Sequence, residues 1–85
     1  MARRSTNATS ANGALASCIA AARLAAGLTQ AELGREIGRD QTFISKVEGQ
    51  ERRLGVVEFV QITDALRADP IFILRAVSKA LRQEG

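Results

Sequence analysis

With 85 residues, 46% of them hydrophobic, the chain can build one small domain around a single aliphatic core. It has no histidine and one cysteine, Cys18, which excludes a zinc site made of Cys and His, a Ser-His or Cys-His catalytic pair and an intramolecular disulfide. The net charge of +3 comes from residues 1–28, which hold Arg3, Arg4 and Arg23 and no acidic residue. We therefore expect neither an enzyme nor a bound cofactor, and an anionic partner would need a local basic patch.

Residues 1–12 are rich in Ser, Thr and Asn, and we expect them to form a flexible polar arm. A basic start followed by an apolar run also resembles a secretory signal, but a polar stretch separates the two and Arg23 interrupts the run. The chain lacks an apolar span of about 18 residues, so the sequence predicts no transmembrane helix. Cys18 is expected to be a small packed side chain, with an intermolecular disulfide as the alternative. Because nothing indicates an oxidising compartment, we expect a cytoplasmic protein.

The first predicted helix covers about residues 13–26, where alanine is dense. Leu15, Ile19 and Ala22 fall on one helical stripe within it. Gly27 then supplies the left-handed residue that commonly ends a helix. The remainder of the chain, residues 13–85, is expected to be one domain.

A second and a third predicted helix follow closely. The residues TQAE at 29–32 form a capping box, which starts a helix that runs to about Ile37. Gly38 ends this helix, and Asp40 is the N-cap candidate of a third helix over about residues 41–48. Two helices joined by a short turn with a glycine form a helix-turn-helix. Their shared buried face is expected to contain Leu33, Ile37, Ile44 and Val47.

Two further helices complete an all-α chain of five helices without strands. Apolar residues recur with helical spacing from Val56 to Leu66, and Asp69 with Pro70 gives an N-cap followed by a first helical residue. The last helix, to about Gln83, carries more apolar residues than one core face can absorb, and such an exposed patch usually marks a partner surface. We therefore expect a homodimer. Its interface residues are predicted to be Val60, Ile71, Phe72, Ile73, Leu74 and Val77.

The segment TQAELGREIGRDQTFISKVE, residues 29–48, resembles the helix-turn-helix of the Cro/cI, or XRE, family. The positions that match the family pattern are Thr29, Gln30, Leu33, Gly38, Gln41, Ile44, Ser45 and Glu48. The resemblance covers about residues 16–75. It implies a compact five-helix bundle of the lambda-repressor-like DNA-binding type, with helices 2 and 3 as the helix-turn-helix. It also implies a transcriptional regulator whose partner is double-stranded DNA, with no small-molecule ligand.

The resemblance further implies that helix 3 lies in the DNA major groove. The side chains expected to contact bases are Gln41, Thr42 and Lys46. Gln can bind adenine through two hydrogen bonds, Lys can donate to guanine, and the Thr methyl can contact the thymine methyl. The residues expected to contact phosphates are Gln30, Ser45, Arg52 and Arg53. The alternative for all of them is an ordinary solvated surface, and Arg3 and Arg4 are either a groove-binding arm or disordered.

Four residues have structural roles in the family. The resemblance predicts that Arg23 and Glu48 form a partly buried ion pair that orients helix 3. It places Gly34 where helix 3 crosses closely, so that alanine is accepted there and leucine is not. Gly38 is expected in the turn with a positive φ.

The chain departs from the family pattern at several positions around the loops. Gln50 stands where the family has glycine, so either helix 3 ends one residue earlier or Gln50 takes the strained turn position. Gly55 replaces a capping Asp, Arg67 replaces a helix-ending Gly and Arg39 replaces an apolar residue in the turn. Phe43 is expected to provide hydrophobic cover.

Two rival classes of function remain beside DNA binding. The alternative is a protein-protein interaction module that uses the same helical fold without specific DNA binding, whereas a small enzyme would need a catalytic constellation that the sequence lacks. Within DNA binding, the sequence leaves open a restriction-modification controller, an antitoxin or a phage-type repressor.

Overall fold

A computed structural model describes residues 9–84, which form five helices and no strand: α1 Thr9–Ala25, α2 Gln30–Glu36, α3 Gln41–Glu48, α4 Val56–Leu66 and α5 Pro70–Glu84. The predicted all-α class with five helices is confirmed. No single helix in this part of the chain is long and apolar enough to cross a membrane.

The first helix begins earlier than predicted. Residues 9–12, expected to belong to the polar arm, form the first turn of α1. The reason is packing, since Ala11 in this turn is only 4% exposed and so contributes buried apolar surface. The rest of the predicted arm, including Arg3 and Arg4, lies outside the described residues.

One face of each of the helices α1 to α4 forms the centre of the core. Ile19 of α1, Leu33 of α2, Ile44 of α3 and Ile62 of α4 have no exposed surface. Around them the helices pack in pairs, α1 along α5 and α2 against α3. The central buried cluster is Ile19, Leu33, Phe43, Ile44, Val47, Ile62 and Leu66. Phe43 belongs to this core at 6% exposure, as the prediction of hydrophobic cover implied.

Helices α1 to α4 all end in the same way, in a Schellman motif closed by a left-handed residue. Gly27 and Gly38 have φ of 75° in the first two motifs, as predicted. In the other two the left-handed residues are Gln50, with φ of 62°, and Arg67, with φ of 55°. The second alternative for Gln50 is therefore the correct one, and helix α3 keeps its full length to Glu48.

The prediction that Ile73 belongs to a dimer interface on the last helix is wrong. Ile73 is only 3% exposed, because α5 lies along α1 and this residue faces the core. It therefore cannot form an exposed dimer surface. The neighbouring Ile71, Phe72 and Leu74 are 54%, 70% and 48% exposed. Val77 is half-buried.

Candidate nucleic-acid interface

The angle between α2 and α3 depends on the turn of residues 37–40. Arg39 N–H donates to Gly34 O at 2.8 Å and Gly38 N–H to Arg35 O at 3.2 Å, which closes the Schellman motif. Asp40 then caps α3, because its carboxylate accepts from Phe43 N–H at 3.0 Å. The turn is thus hydrogen-bonded on both sides, and it presents α3 in one orientation.

Gly34 lies directly beneath this turn. A Cβ atom on Gly34 would lie 2.8 Å from Arg39 O and 2.9 Å from Asp40 O. The close approach was expected to involve helix 3, with room for alanine. The structure contradicts that expectation, because the neighbouring atoms belong to the backbone of the turn and are not movable side-chain ends. Even a methyl group at Gly34 would require the turn to shift.

Helix α3 has one buried and one exposed face. Phe43, Ile44 and Val47 face the core, each no more than 6% exposed. The opposite face carries the exposed side chains of Gln41, Thr42, Ser45 and Lys46. All three predicted base-contacting residues, together with Ser45, therefore lie on the same exposed surface, which we call the α3 polar face.

Arg23 of α1 and Glu48 at the end of α3 form a bidentate ion pair. Arg23 Nε donates to Glu48 Oε2 at 2.7 Å and Arg23 Nη2 to Glu48 Oε1 at 3.0 Å, while Nη1 donates to Leu28 O at 2.9 Å. Their side chains are 11% and 9% exposed. Burial opposes ionisation of Glu48, yet the hydrogen bonds from Arg23 and Gln30 and the charge of Arg23 outweigh it, so its pKa is lowered. The pair fixes α3 against α1.

Gln30 extends this pair towards the α3 polar face. Its Nε2 donates to Glu48 Oε1 at 3.0 Å, and its Oε1 accepts from Gln41 Nε2 at 3.5 Å. One amide N–H of Gln30, predicted to contact phosphate, is therefore used inside the protein. The bond leaves Gln41 with its Oε1 and a second N–H free on the exposed side. Sequence reasoning missed this link, and its only signal was that Gln30 and Gln41 each begin a helix.

The loop after α3 holds the two predicted phosphate-contacting arginines. Arg53 is exposed, whereas the guanidinium of Arg52 is bound by Glu58 of α4. Arg39, from the turn before α3, pairs with the same carboxylate. Sequence reasoning did not assign Arg39 or Glu58 to the site, although Arg39 stood out as a charged residue at a usually apolar position. Arg39, Thr42, Lys46 and Arg52 line an open depression beside the α3 polar face.

The site has the chemistry of a binding surface. Polar and cationic side chains that line a helix can donate to phosphates and base edges. Among the described residues, no group of three or more His, Cys, Asp or Glu side chains could hold a metal ion.

Comparisons with known proteins agree with this geometry. A family model described as a helix-turn-helix domain matches residues 14–71. An XRE-family like protein from Pseudomonas syringae pv. tomato str. DC3000 is 39% identical, with a TM-score of 0.76 over 84% of this chain and 87% of that chain. No curated protein matches the chain.

Structures of one restriction-modification controller protein are also similar. The wild-type controller protein C.Esp1396I has a TM-score of 0.72 at 24% identity, over 84% of this chain and 93% of that chain, which shows a shared fold alone. A variant of it, bound to its highest affinity operator site, has a TM-score of 0.71 at 25% identity over 85% of this chain and 95% of that chain. Taken with the family match and the P. syringae relative, the helix-turn-helix described above makes this chain a member of the XRE family of helix-turn-helix DNA-binding transcriptional regulators.

Proposed function

We propose that the protein regulates transcription by binding a palindromic operator as a homodimer, with α3 of each protomer in the major groove. The observation that carries this proposal is the α3 polar face. Its residues stand on a helix whose opposite face is fully buried, whose N-terminus is capped by Asp40 and whose C-terminus is held by the Arg23–Glu48 pair. A helix held at both ends can present its side chains to base edges at low entropic cost.

Three side chains of this face are proposed to read bases. Gln41 retains one acceptor and one donor outside its bond to Gln30, which is the pair that adenine N6 and N7 require. Lys46 can donate to guanine, and the Thr42 methyl can contact a thymine methyl. Each good contact of the bidentate kind discriminates against a wrong base by about 1–3 kcal/mol.

Phosphate contacts are proposed to position the protein on the duplex. Ser45 on the α3 polar face and Arg53 in the following loop have exposed side chains that can donate to phosphate oxygens. Gln30 keeps its second amide N–H for the same purpose, beside the N-terminus of α2. Arg52 has both of its Nη atoms bound to Glu58.

Dimerisation is proposed to occur through an apolar patch on α5 and α4. The exposed members of this patch are Val60, Ile71, Phe72 and Leu74, and Val77 is half-buried beside them. A single short helix in one groove gives little specificity, whereas a two-fold dimer places two such helices on half-sites about 34 Å apart. Burying the patch between two copies would also remove large apolar side chains from water.

Selection of binding sites from random duplex DNA tests this function. The wild-type protein should enrich a palindromic motif, and Gln41→Ala and Lys46→Ala should each relax the preference at one or two positions of every half-site. Arg53→Ala serves as the comparison, because loss of a phosphate contact should weaken binding to all duplexes alike. It should also reduce the salt slope, the steepness with which log K falls as log salt concentration rises, by about one. Selection that enriches no motif, with binding that does not depend on salt, would refute the proposal and favour a protein-protein interaction module.

A further inference from the structure

Glu58, near the start of α4, binds two arginines that come from opposite ends of α3. Its Oε2 accepts from Arg39 Nη1 at 3.2 Å and from Arg52 Nη2 at 3.1 Å, and its Oε1 accepts from Arg52 Nη1 at 3.1 Å. Arg39 lies in the turn before α3, and Arg52 lies in the loop after it. A single carboxylate thus gathers both guanidinium groups beside the helix that is proposed to enter the major groove.

Phe43 orients the two arginines. The central carbon of the Arg39 guanidinium lies 3.9 Å from the centroid of the Phe43 ring, and that of Arg52 lies 4.6 Å from it. A cation over an aromatic ring is attracted by the negative charge of its face. Because Phe43 is a core residue of α3, both guanidinium groups keep a defined position relative to Thr42 and Lys46, which line the same depression.

The carboxylate of Glu58 offers these arginines what a DNA phosphate would offer. Both anions present two oxygens that share one negative charge, and a guanidinium binds either through the same fork of N–H groups. Arg52 directs both of its Nη atoms at Glu58, and Nη1 also donates to Arg53 O at 2.7 Å. A phosphate that takes these N–H groups must therefore displace Glu58 from them.

The charges around the depression are balanced while Glu58 stays in place. Arg39, Lys46 and Arg52 carry three positive charges, and the carboxylates of Asp40, Glu51 and Glu58 carry three negative ones. Asp40 is held as the N-cap of α3. Glu58 is the carboxylate that directly occupies the N–H groups of the arginines, so its withdrawal would make them available to an external anion.

Glu58 also has a second partner that remains after the arginines leave. Its Oε1 accepts from Gly55 N–H at 2.9 Å, in the first turn of α4, where the helix dipole favours an anion. The pKa of Glu58 is lowered chiefly by this backbone N–H, against a smaller effect of burial, and then by Arg52 and Arg39. Losing the arginines would therefore not leave the carboxylate without a hydrogen bond.

We propose that Arg39 and Arg52 form a binding site for one backbone phosphate of duplex DNA, and that Glu58 occupies this site in the DNA-free protein as an internal competitor. The inference rests on the proposed DNA binding and adds Arg39 to the residues that contact DNA. Glu58 then lowers the affinity for every duplex, which keeps weak, sequence-independent binding low.

The affinity for a duplex of arbitrary sequence, measured at several salt concentrations, tests the role of Glu58. Glu58→Gln keeps an oxygen for Gly55 N–H but removes the charge. It should tighten binding about fivefold near 0.1 M salt and leave the salt slope unchanged, because the wild-type complex makes the same phosphate contact once Glu58 has been displaced. Glu51→Gln is the matched control, because Glu51 lines the same depression and changes the net charge equally. It should tighten binding by less than about twofold, because salt screens its charge.

The role of Arg39 is tested by a second pair of variants. Arg39→Gln should reduce the slope by about one for every duplex, whereas Arg35→Gln, at an exposed position of α2 away from the depression, should not change it. Circular dichroism melts must show each variant folded at the assay temperature, and if one pair fails to fold the other pair decides. Equal affinities of Glu58→Gln and Glu51→Gln, or equal slopes of Arg39→Gln and Arg35→Gln, overturn the inference. Wild-type protein that binds no duplex refutes the proposed function itself.

Discussion

Replacing Gly34 by alanine should destabilise the fold, although alanine is the better helix former. In a helix interior, the change from glycine to alanine favours folding by about 1 kcal/mol. At this position the new Cβ would lie 2.8 Å from Arg39 O, where ordinary van der Waals contact needs at least 3.4 Å. Overpacking of this kind typically costs about 1–3 kcal/mol. Opening the contact also strains the hydrogen bond of Arg39 N–H to Gly34 O, whose full loss would cost about 1 kcal/mol.

The balance of these effects is a net loss of about 1–2 kcal/mol in the free energy of unfolding. Gly13→Ala is the matched control, because Gly13 also lies inside a helix, α1. A Cβ there would meet only the side-chain amide of Gln50, at 3.7 Å, which is an ordinary contact. Gly13→Ala should therefore stabilise the protein by about 0.5–1 kcal/mol. The two variants carry the same chemical change with opposite expected signs.

Urea unfolding followed by far-ultraviolet circular dichroism measures both variants, since the chain has no Trp or Tyr for fluorescence. Protein concentration must be held constant, because dimerisation would add a concentration-dependent contribution. In thermal melts, 1 kcal/mol corresponds to a shift of about 4–8 °C for a domain of this size. If Gly34→Ala proved as stabilising as Gly13→Ala, the turn must yield without cost, and the reasoning about its backbone carbonyls would be wrong.

Three further predictions concern the helix ends, the buried ion pair and the apolar patch. Gln50→Gly should raise the free energy of unfolding by about 1 kcal/mol, because glycine adopts the left-handed conformation of Gln50 without strain, and an unchanged urea midpoint would contradict this. The folded-state pKa of Glu48 is lowered, so its ionised carboxylate contributes to the free energy of unfolding. This contribution is complete above the unfolded-state pKa of about 4.3 and is lost as the pH falls through the folded-state pKa. Glu48→Gln should therefore cost about 3 kcal/mol at neutral pH by stranding its arginine partner. It should also flatten the loss of stability that urea titrations measure as the pH is lowered from neutral into the acid range. Leu74→Ala should leave the monomer folded but shift sedimentation equilibrium towards monomer. Ile73→Ala, at the adjacent buried position, should lower the free energy of unfolding by about 2–5 kcal/mol. Equal behaviour of the two variants would argue against the assigned faces of α5.

Local signals in the sequence determined the helices and most of their ends, the start of α1 excepted. The capping box that begins at Thr29, the N-cap at Asp40 and the left-handed glycines at 27 and 38 act through hydrogen bonds within a few residues, and the structure contains all of them. The polar face of α3 followed from the same kind of evidence, because helical spacing places Gln41, Thr42, Ser45 and Lys46 opposite the buried residues.

Tertiary structure alone decided which side chains at the candidate interface are bonded to one another. Gln30 bonds to Glu48 across 18 positions, and Arg39 bonds to Glu58 across 19, so no local pattern signals either contact. Ile73 faces the core because of how α5 docks along α1, and the apolar stripes of α5 do not by themselves say which one is buried. The atoms above Gly34 likewise depend on the path of the turn. The sequence determined the helices and the polar face of α3. Contacts between distant segments decided which side chains in and beside that face are already bonded within the protein.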